Sequence, residues 1–174
     1  SERKASEVVA GLLFLENTSH IEMPQENEEG KPIIMARPIS IIVSTHGGVA
    51  SEMFSILDSM DMIKDRTCDI ETIGLGKVMS AGVPILAAGT KGKRSIGRNC
   101  RIMLHNVLAG TGGTIFSMEN ELEEIKWTQE RYIKCLASYT KLTPSKIKKL
   151  LKAQKDVYIS PDEAIKMGIV DQIV

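Results

Sequence analysis

A glycine pair, a serine, a histidine and an aspartate are the residues of this sequence best placed to do chemistry. Gly47 and Gly48 follow the apolar run ISIIVS (39–44), and Ser80 follows the strand-like DIETIGLG (69–76). His105 ends the run RIMLH (101–105), and Asp156 comes just after a lysine-rich helical segment. In parallel α/β sheets, reactive groups collect at the carboxyl ends of strands, where these residues fall. Serine, histidine and aspartate together are the set needed for acyl transfer. The imidazole takes the hydroxyl proton, the carboxylate fixes its tautomer, and main-chain N–H groups receive the oxyanion. The residues behind Ser80, in GKVMSAGVPILAAG (76–89), are small, as a hydroxyl approached by a substrate backbone requires.

Each of these residues also has a plainer reading. Of the three histidines, His20 lies in a polar stretch and reads as a surface residue, whereas His105 is flanked by RIML and NVL. Ser80 and His105 fit a hydrogen-bonded core pair as well as a nucleophile and its base. Asp156 fits a simple turn, with Asp162 and Asp171 as rival acids; Asp162 belongs in the first turn of a helix and Asp171 in a closing strand. LAGTGG (108–113) lacks the spacing of a phosphate-cradling loop.

The elements that must position these groups alternate in type. Residues 6–16 carry Val9, Leu12, Leu13 and Glu16 at helical spacing behind Ser6, a cap candidate. Residues 17–38 are polar and acidic with three prolines, so a long loop is expected, with a short strand at Ile33–Met35. The run 39–44 reads as a strand buried on both faces. Residues 49–64 put Met53, Ile56, Leu57, Met60 and Ile63 on one helical face. A short helix follows Ser80, and 118–140 is a long helix striped by Met118, Leu122, Ile125, Tyr132, Leu136 and Tyr139. That stripe suits an oligomer interface as well as a core, and Trp127 off it is a further interface candidate. Thr143–Pro144 opens the next helix, and Ser160, Pro161, Glu163 and Gly168 cap and stop another before the strand IVDQIV. Strand–helix alternation with tight connections predicts a mainly parallel sheet.

At 174 residues, the chain has room for one domain with a full core. Lys+Arg and Asp+Glu balance at 22 each and aromatics are only 4%, which argues against a nucleic-acid partner. The three cysteines form no CxxC pair and suit buried thiols in a reducing, cytoplasmic compartment. No apolar run is long enough for a membrane span, and no membrane association is expected.

The order of motifs resembles the Clp protease proteolytic subunit family, the ClpP-type serine peptidases. The resemblance runs from about residue 6 to residue 174. It is carried by GGVASEMFSILDSMDMIK, by MSAG at the serine, by AAGTKGKRSIGRNCRIMLHNVLAG leading to the histidine, and by DVYISPDEAIKMGIVDQIV at the end. It implies a single ClpP-like domain over 1–174 with a ClpP/crotonase-type α/β fold: stacked βαβ units around a twisted, mainly parallel sheet, with a protruding handle over 108–140. It also implies Ser80 as nucleophile, His105 as base, Asp156 as orienting acid, and the N–H groups of Gly48 and Ala81 as oxyanion hole. An extended substrate would pair between Gly47–Gly48 and Leu108, Ala109 and Gly110. By the same resemblance, no metal or organic cofactor is needed. Subunits would form a double heptameric ring around a chamber, fed with unfolded polypeptide by an AAA+ ATPase unfoldase.

Some residues depart from the family pattern. Ala81 stands where methionine is usual, STHGG puts His46 where proline is usual, and Val107 replaces the proline after LHN. The sequence begins near the family's first long helix, without the segment that forms axial loops, and 17–38 is longer than usual. These features keep open a stand-alone peptidase and a non-catalytic ring or assembly subunit. An acyl-CoA enzyme of the crotonase type would need carboxylates where this chain has serine and histidine.

Overall fold

The fold is built around one long bulged strand. A computed structural model describes residues 2–26, 30, 32–153 and 156–174. Helix α1 (Glu2–Thr18) leads into a ribbon of β1 (His20–Glu26) and β2 (Pro32–Ala36), then β3 (Ile39–Thr45) and α2 (Ala50–Arg66). The long strand β4 (Ile70–Met79), α3 (Gly82–Ala87), β5 (Arg94–Ile96) and β6 (Arg101–His105) follow. The chain closes with α4 (Ile115–Tyr139), α5 (Pro144–Ala153), β7 (Asp156–Ile159), α6 (Pro161–Met167) and β8 (Gln172–Ile173).

The main sheet has six strands in the order β7-β6-β4-β5-β8, with β3 also paired to β4. Every pairing in it is parallel except β6 with β7. Strand β4 changes partner midway. Thr72–Gly74 pair with β5, whereas Lys77–Met79 pair with β6. Between them, Leu75, Gly76 and Lys77 stand opposite Ser44 alone, and Gly76 has φ +66°. A bulge of this kind bends the strand, and glycine reaches that backbone region without a Cβ penalty. The sheet therefore curls, and the carboxyl end of β4 is carried toward β6.

Apolar side chains from α2, β4 and α3 fill the curl: Leu57, Met60, Ile63, Ile70, Val78 and Leu86 are each at most 1% exposed. Polar groups inside are paired. Thr72 Oγ1 donates to the Leu86 carbonyl at 2.7 Å, tying α3 to the sheet. Arg94, 4% exposed, donates to both carboxylate oxygens of Asp171 (2.6 and 2.8 Å) and to the carbonyls of Ala87 and Tyr139. This guanidinium holds the Asp171 carboxyl below its usual range. Glu16, a charged residue on the buried stripe of α1, accepts from Arg66 and Thr67 and so joins α1 to the end of α2.

Several expectations are corrected. The 17–38 segment is not a loop throughout; it carries the β1–β2 antiparallel ribbon, with the expected Ile33–Met35 strand inside β2. Its acidic QENEEG lies partly outside the described residues, as does Gln154. Helix α1 starts at Glu2, so Ser6 sits within the helix and does not cap it. Strand β3 is buried on one face only, with Ile42 66% exposed; it stands at the sheet's edge beside β4 alone. The sequence does not mark β5 or β7 as strands: β5 is three residues buried without alternation, and the alternation of β7 spans only four, too short for a periodic signal. By contrast, α6 has its Ser160–Glu163 capping box and Gly168 in the left-handed conformation, as the motif predicts.

Candidate active site

Ser80 follows the last residue of β4, and its backbone is unusual. With φ +54° it is the one non-glycine among the described residues in the left-handed region. For a residue with a Cβ, that conformation costs on the order of 1 kcal/mol or more and persists only when the surroundings enforce it. Three constraints do so. The Ser80 N–H donates to the Met103 carbonyl at 2.8 Å, and the Ser80 carbonyl accepts from Val83 N–H at 3.0 Å. The third is crowding. A Cβ on Gly47 would lie 2.6 Å from the Ser80 Cβ, and one on Gly82 would lie 2.4 Å from a methyl of Thr45. The small residues around Ser80 are thus needed to close a tight elbow.

The same hydrogen bond that sets Ser80 also sets its distance from His105. Met103, the acceptor, lies two residues before His105 on β6, or about 7 Å along a strand. Beyond His105 the chain is held by side chains: Asn106 Nδ2 donates to the Leu151 carbonyl, and Val107 N–H donates to Gln129 Oε1. Asp156 opens β7 directly opposite His105 in the antiparallel register. Directly opposed residues share a face of the sheet.

Ser80 and His105 both line one cleft of about 630 Å³. Gly48, Ala81, Leu108 and Ala109 line it as well, and so does His46. Gly47, Gly110 and Asp156 do not. Around Gly48 a Cβ would meet nothing within 4 Å, so the space beside its Cα is open. Among the described residues, no hydrogen bond takes the N–H of Gly48 or of Ala81. Leu108, Ala109 and Gly110 are exposed and form no strand within the protomer.

Among the described residues, no hydrogen bond joins the side chains of Ser80, His105 and Asp156. Nδ1 of His105 instead contacts the carbonyl oxygen of Asn106. A carbonyl can only accept, so Nδ1 carries the proton and Nε2 is left as the acceptor in the neutral ring. That is the tautomer a general base requires. Asp156 is exposed, while the rival acid Asp171 is committed to Arg94 and Asp162 is exposed in the first turn of α6.

One wall of the cleft escaped the sequence reading. Helix α4 contributes Glu124, Ile125, Thr128 and Tyr132. Tyr132 had been read only as part of an apolar stripe. The four-residue spacing of Glu124, Thr128 and Tyr132 puts them on one helix face, and that was the available signal. Among the described residues, no group of three or more His, Cys, Asp or Glu side chains is arranged to hold a metal ion. Among the described residues, no helix is long and apolar enough to cross a membrane.

A mainly parallel sheet curled about a bulged central strand, with a cleft at that strand's carboxyl end, is the ClpP/crotonase type of α/β fold. The family model described as Clp protease matches residues 1–174, and the chain belongs to the Clp protease family. It is a ClpP-like peptidase.

Proposed function

We propose that this chain is the subunit of an ATP-dependent serine endopeptidase that cuts peptide bonds through an acyl-enzyme on Ser80. The observation that carries the reading is the left-handed backbone of Ser80, held at a strand end in a cleft it shares with His105. Backbone strain held in place by its surroundings clusters at active sites, and the half-buried Ser80 carries it here.

In this reading, Ser80 Oγ attacks the scissile carbonyl while His105 Nε2 takes its proton. The N–H groups of Gly48 and Ala81, which have no hydrogen-bond partner among the described residues, hold the oxyanion. The C–N bond then breaks, His105 returns the proton to the leaving amine, and a water activated by the same imidazole hydrolyses the ester. Asp156, opposite His105 in register, steadies the imidazolium. The substrate backbone lies extended between Gly47–Gly48 and Leu108–Gly110.

Assembly belongs to the same proposal. The first half of α4 exposes Ile115 (68%), Phe116 (78%), Leu122 and Trp127, an apolar surface suited to packing against other subunits. Double heptameric rings, a single domain over 1–174 and an AAA+ unfoldase delivering unfolded polypeptide are the arrangement we infer from the family.

Treatment with a fluorophosphonate, read by intact mass and peptide mapping, tests the chemistry. One adduct on Ser80, absent in His105→Ala, is the expected result. An unlabelled Ser80 in the assembled protein leaves the non-catalytic subunit as the better reading.

A further inference from the structure

We propose that His46 makes this cleft favour an acidic residue on the amine side of the scissile bond. The inference rests on the proposed peptidase reading and deepens it to a substrate class.

His46 is held beside the nucleophile by the backbone around it. The Gly47 N–H donates to Thr45 Oγ1 at 3.0 Å, which closes a tight turn about residue 46. Gly47 in turn lies against the Ser80 Cβ, so His46 is one residue, about 3.8 Å along the chain, from the contact that seats the serine. Side chains alternate across this segment. Thr45 and Gly47 border a separate recess of about 280 Å³ beside Lys4, Ala5 and Val8 of α1, whereas His46 borders the cleft of Ser80 and His105. His46 is exposed, and among the described residues its ring makes no hydrogen bond or ion pair.

The two ends of the cleft differ. From Gly48 the chain runs on through Val49 to Met53, and there the lining is closed and apolar: Met53 and Tyr132 are each at most 4% exposed. A side chain on the acyl side of the attacked carbonyl fills that end. His46 stands on the other side of Gly48, the proposed oxyanion donor, so the amine half of an extended substrate leads past it.

Charge decides what His46 selects. Besides the buried phenol of Tyr132, the titratable side chains bordering the cleft are His46, His105 and Glu124. His105 is engaged with the proton it moves, and Glu124, exposed on the α4 wall, repels an acid from that side. Lys4 and Glu52 border the recess behind the glycine pair and oppose each other in charge. An imidazole donates a hydrogen bond in either protonation state and carries a positive charge when protonated. A carboxylate accepts the hydrogen bond and pairs with the charge. An amide of the same shape accepts the hydrogen bond alone, and a lysine or arginine offers no acceptor.

The test uses matched peptides that differ only at the residue following the scissile bond: aspartate against asparagine, and glutamate against glutamine. With the assembled full chain at low salt, kcat/KM should favour the acid in each pair by about two- to fivefold, the range of an exposed charge pair. Raising salt to about 0.5 M should shrink both ratios through screening. His46→Gln should bring them to about one, and His46→Arg, always charged, should restore them. A merely structural His46 would lower both members of a pair alike in His46→Gln and leave the ratio in place. Ratios near one in the unaltered chain, ratios that His46→Gln leaves unchanged, or a loss that His46→Arg does not restore overturn the inference. So does an acid preference found only at the residue preceding the bond. In each of these cases a Ser80 that reacts with fluorophosphonate leaves the peptidase reading standing. No cleavage of any peptide, together with an unreactive Ser80, overturns both.

Discussion

The two sides of the cleft are built to different standards. On one side, Ser80 sits in an elbow with main-chain hydrogen bonds on both flanks and no room for a Cβ on Gly47 or Gly82. Behind it, Val83, Leu86 and Ala88 are fully buried, and Arg94 bonds the end of α3 to Asp171. On the other side, the one hydrogen bond of the His105 ring among the described residues is with its neighbour's carbonyl, Asp156 is exposed, and 108–114 are exposed without regular structure. One side is fixed by the protomer's own packing. The other offers a register and a tautomer, with fewer contacts holding its side chains in place.

Removing the reactive groups should have the largest effect. Ser80→Ala and His105→Ala should each lower kcat by on the order of 10⁴–10⁶, because members of such a unit fail together. Peptide hydrolysis measured beside sedimentation should show the loss with assembly intact. Full activity in Ser80→Ala would remove the central claim.

The next effect lies in the frame behind the serine. Asp171→Ala strips a buried guanidinium of its carboxylate and should cost roughly 3–5 kcal/mol by chemical denaturation. The pH dependence has a fixed sign. The folded-state pKa of Asp171 is lowered, so its contribution is fully present above the ordinary carboxylate value and disappears as pH falls through the lowered one. Acid unfolding should begin at higher pH in Asp171→Asn, and an unchanged acid limb would count against the pair.

The two adjacent glycines then separate folding from catalysis. Gly47→Ala forces a methyl to 2.6 Å from the Ser80 Cβ at a φ of +102°, so stability and activity should both fall, with about 1–3 kcal/mol lost from the fold. Gly48→Ala meets nothing, so the melting temperature should hold while activity drops, the methyl standing where the carbonyl must come. Equal melting temperatures for the two variants would contradict the crowding described at the elbow.

The same contrast explains what the sequence made legible. Ser80, the capping box at Ser160 and the apolar face of α2 are local patterns, and the chain declares them residue by residue. The bulge in β4 was not visible, because Gly76 reads as a strand end until β6 is seen pairing beyond it. Strand β7 was hidden for a related reason: its alternation covers four residues and takes meaning only from pairing with β6. Tyr132 belongs to the core and also borders the cleft, and helical periodicity does not report which cavity a buried face adjoins. Two residues of the α4 stripe, Tyr132 and Leu136, are buried, while Leu122 stands 46% exposed.

On the loose side of the cleft, Asp156→Asn should cost one to two orders of magnitude in kcat. A loss of about 10⁴ would be expected if the acid alone fixed the tautomer. The Asn106 carbonyl already takes the Nδ1 proton, so the imidazole keeps the required form without the carboxylate. What disappears is stabilisation of the imidazolium. A 10⁴-fold loss would mean that Asp156 displaces that carbonyl in the working enzyme.

The smallest effect on the protomer should come from the exposed half of α4. Leu122→Glu puts a charge where no core exists, so monomer stability should change by no more than about 0.5 kcal/mol. If Leu122 packs against another subunit, the same charge is buried unpaired at each copy of the contact, and assembly should fail first. Sedimentation velocity beside a melting curve separates the two. Loss of the large species with an unchanged monomer melt supports the interface. An unaltered profile would place the subunit contact elsewhere, and the apolar residues at the start of α4 would then need another partner.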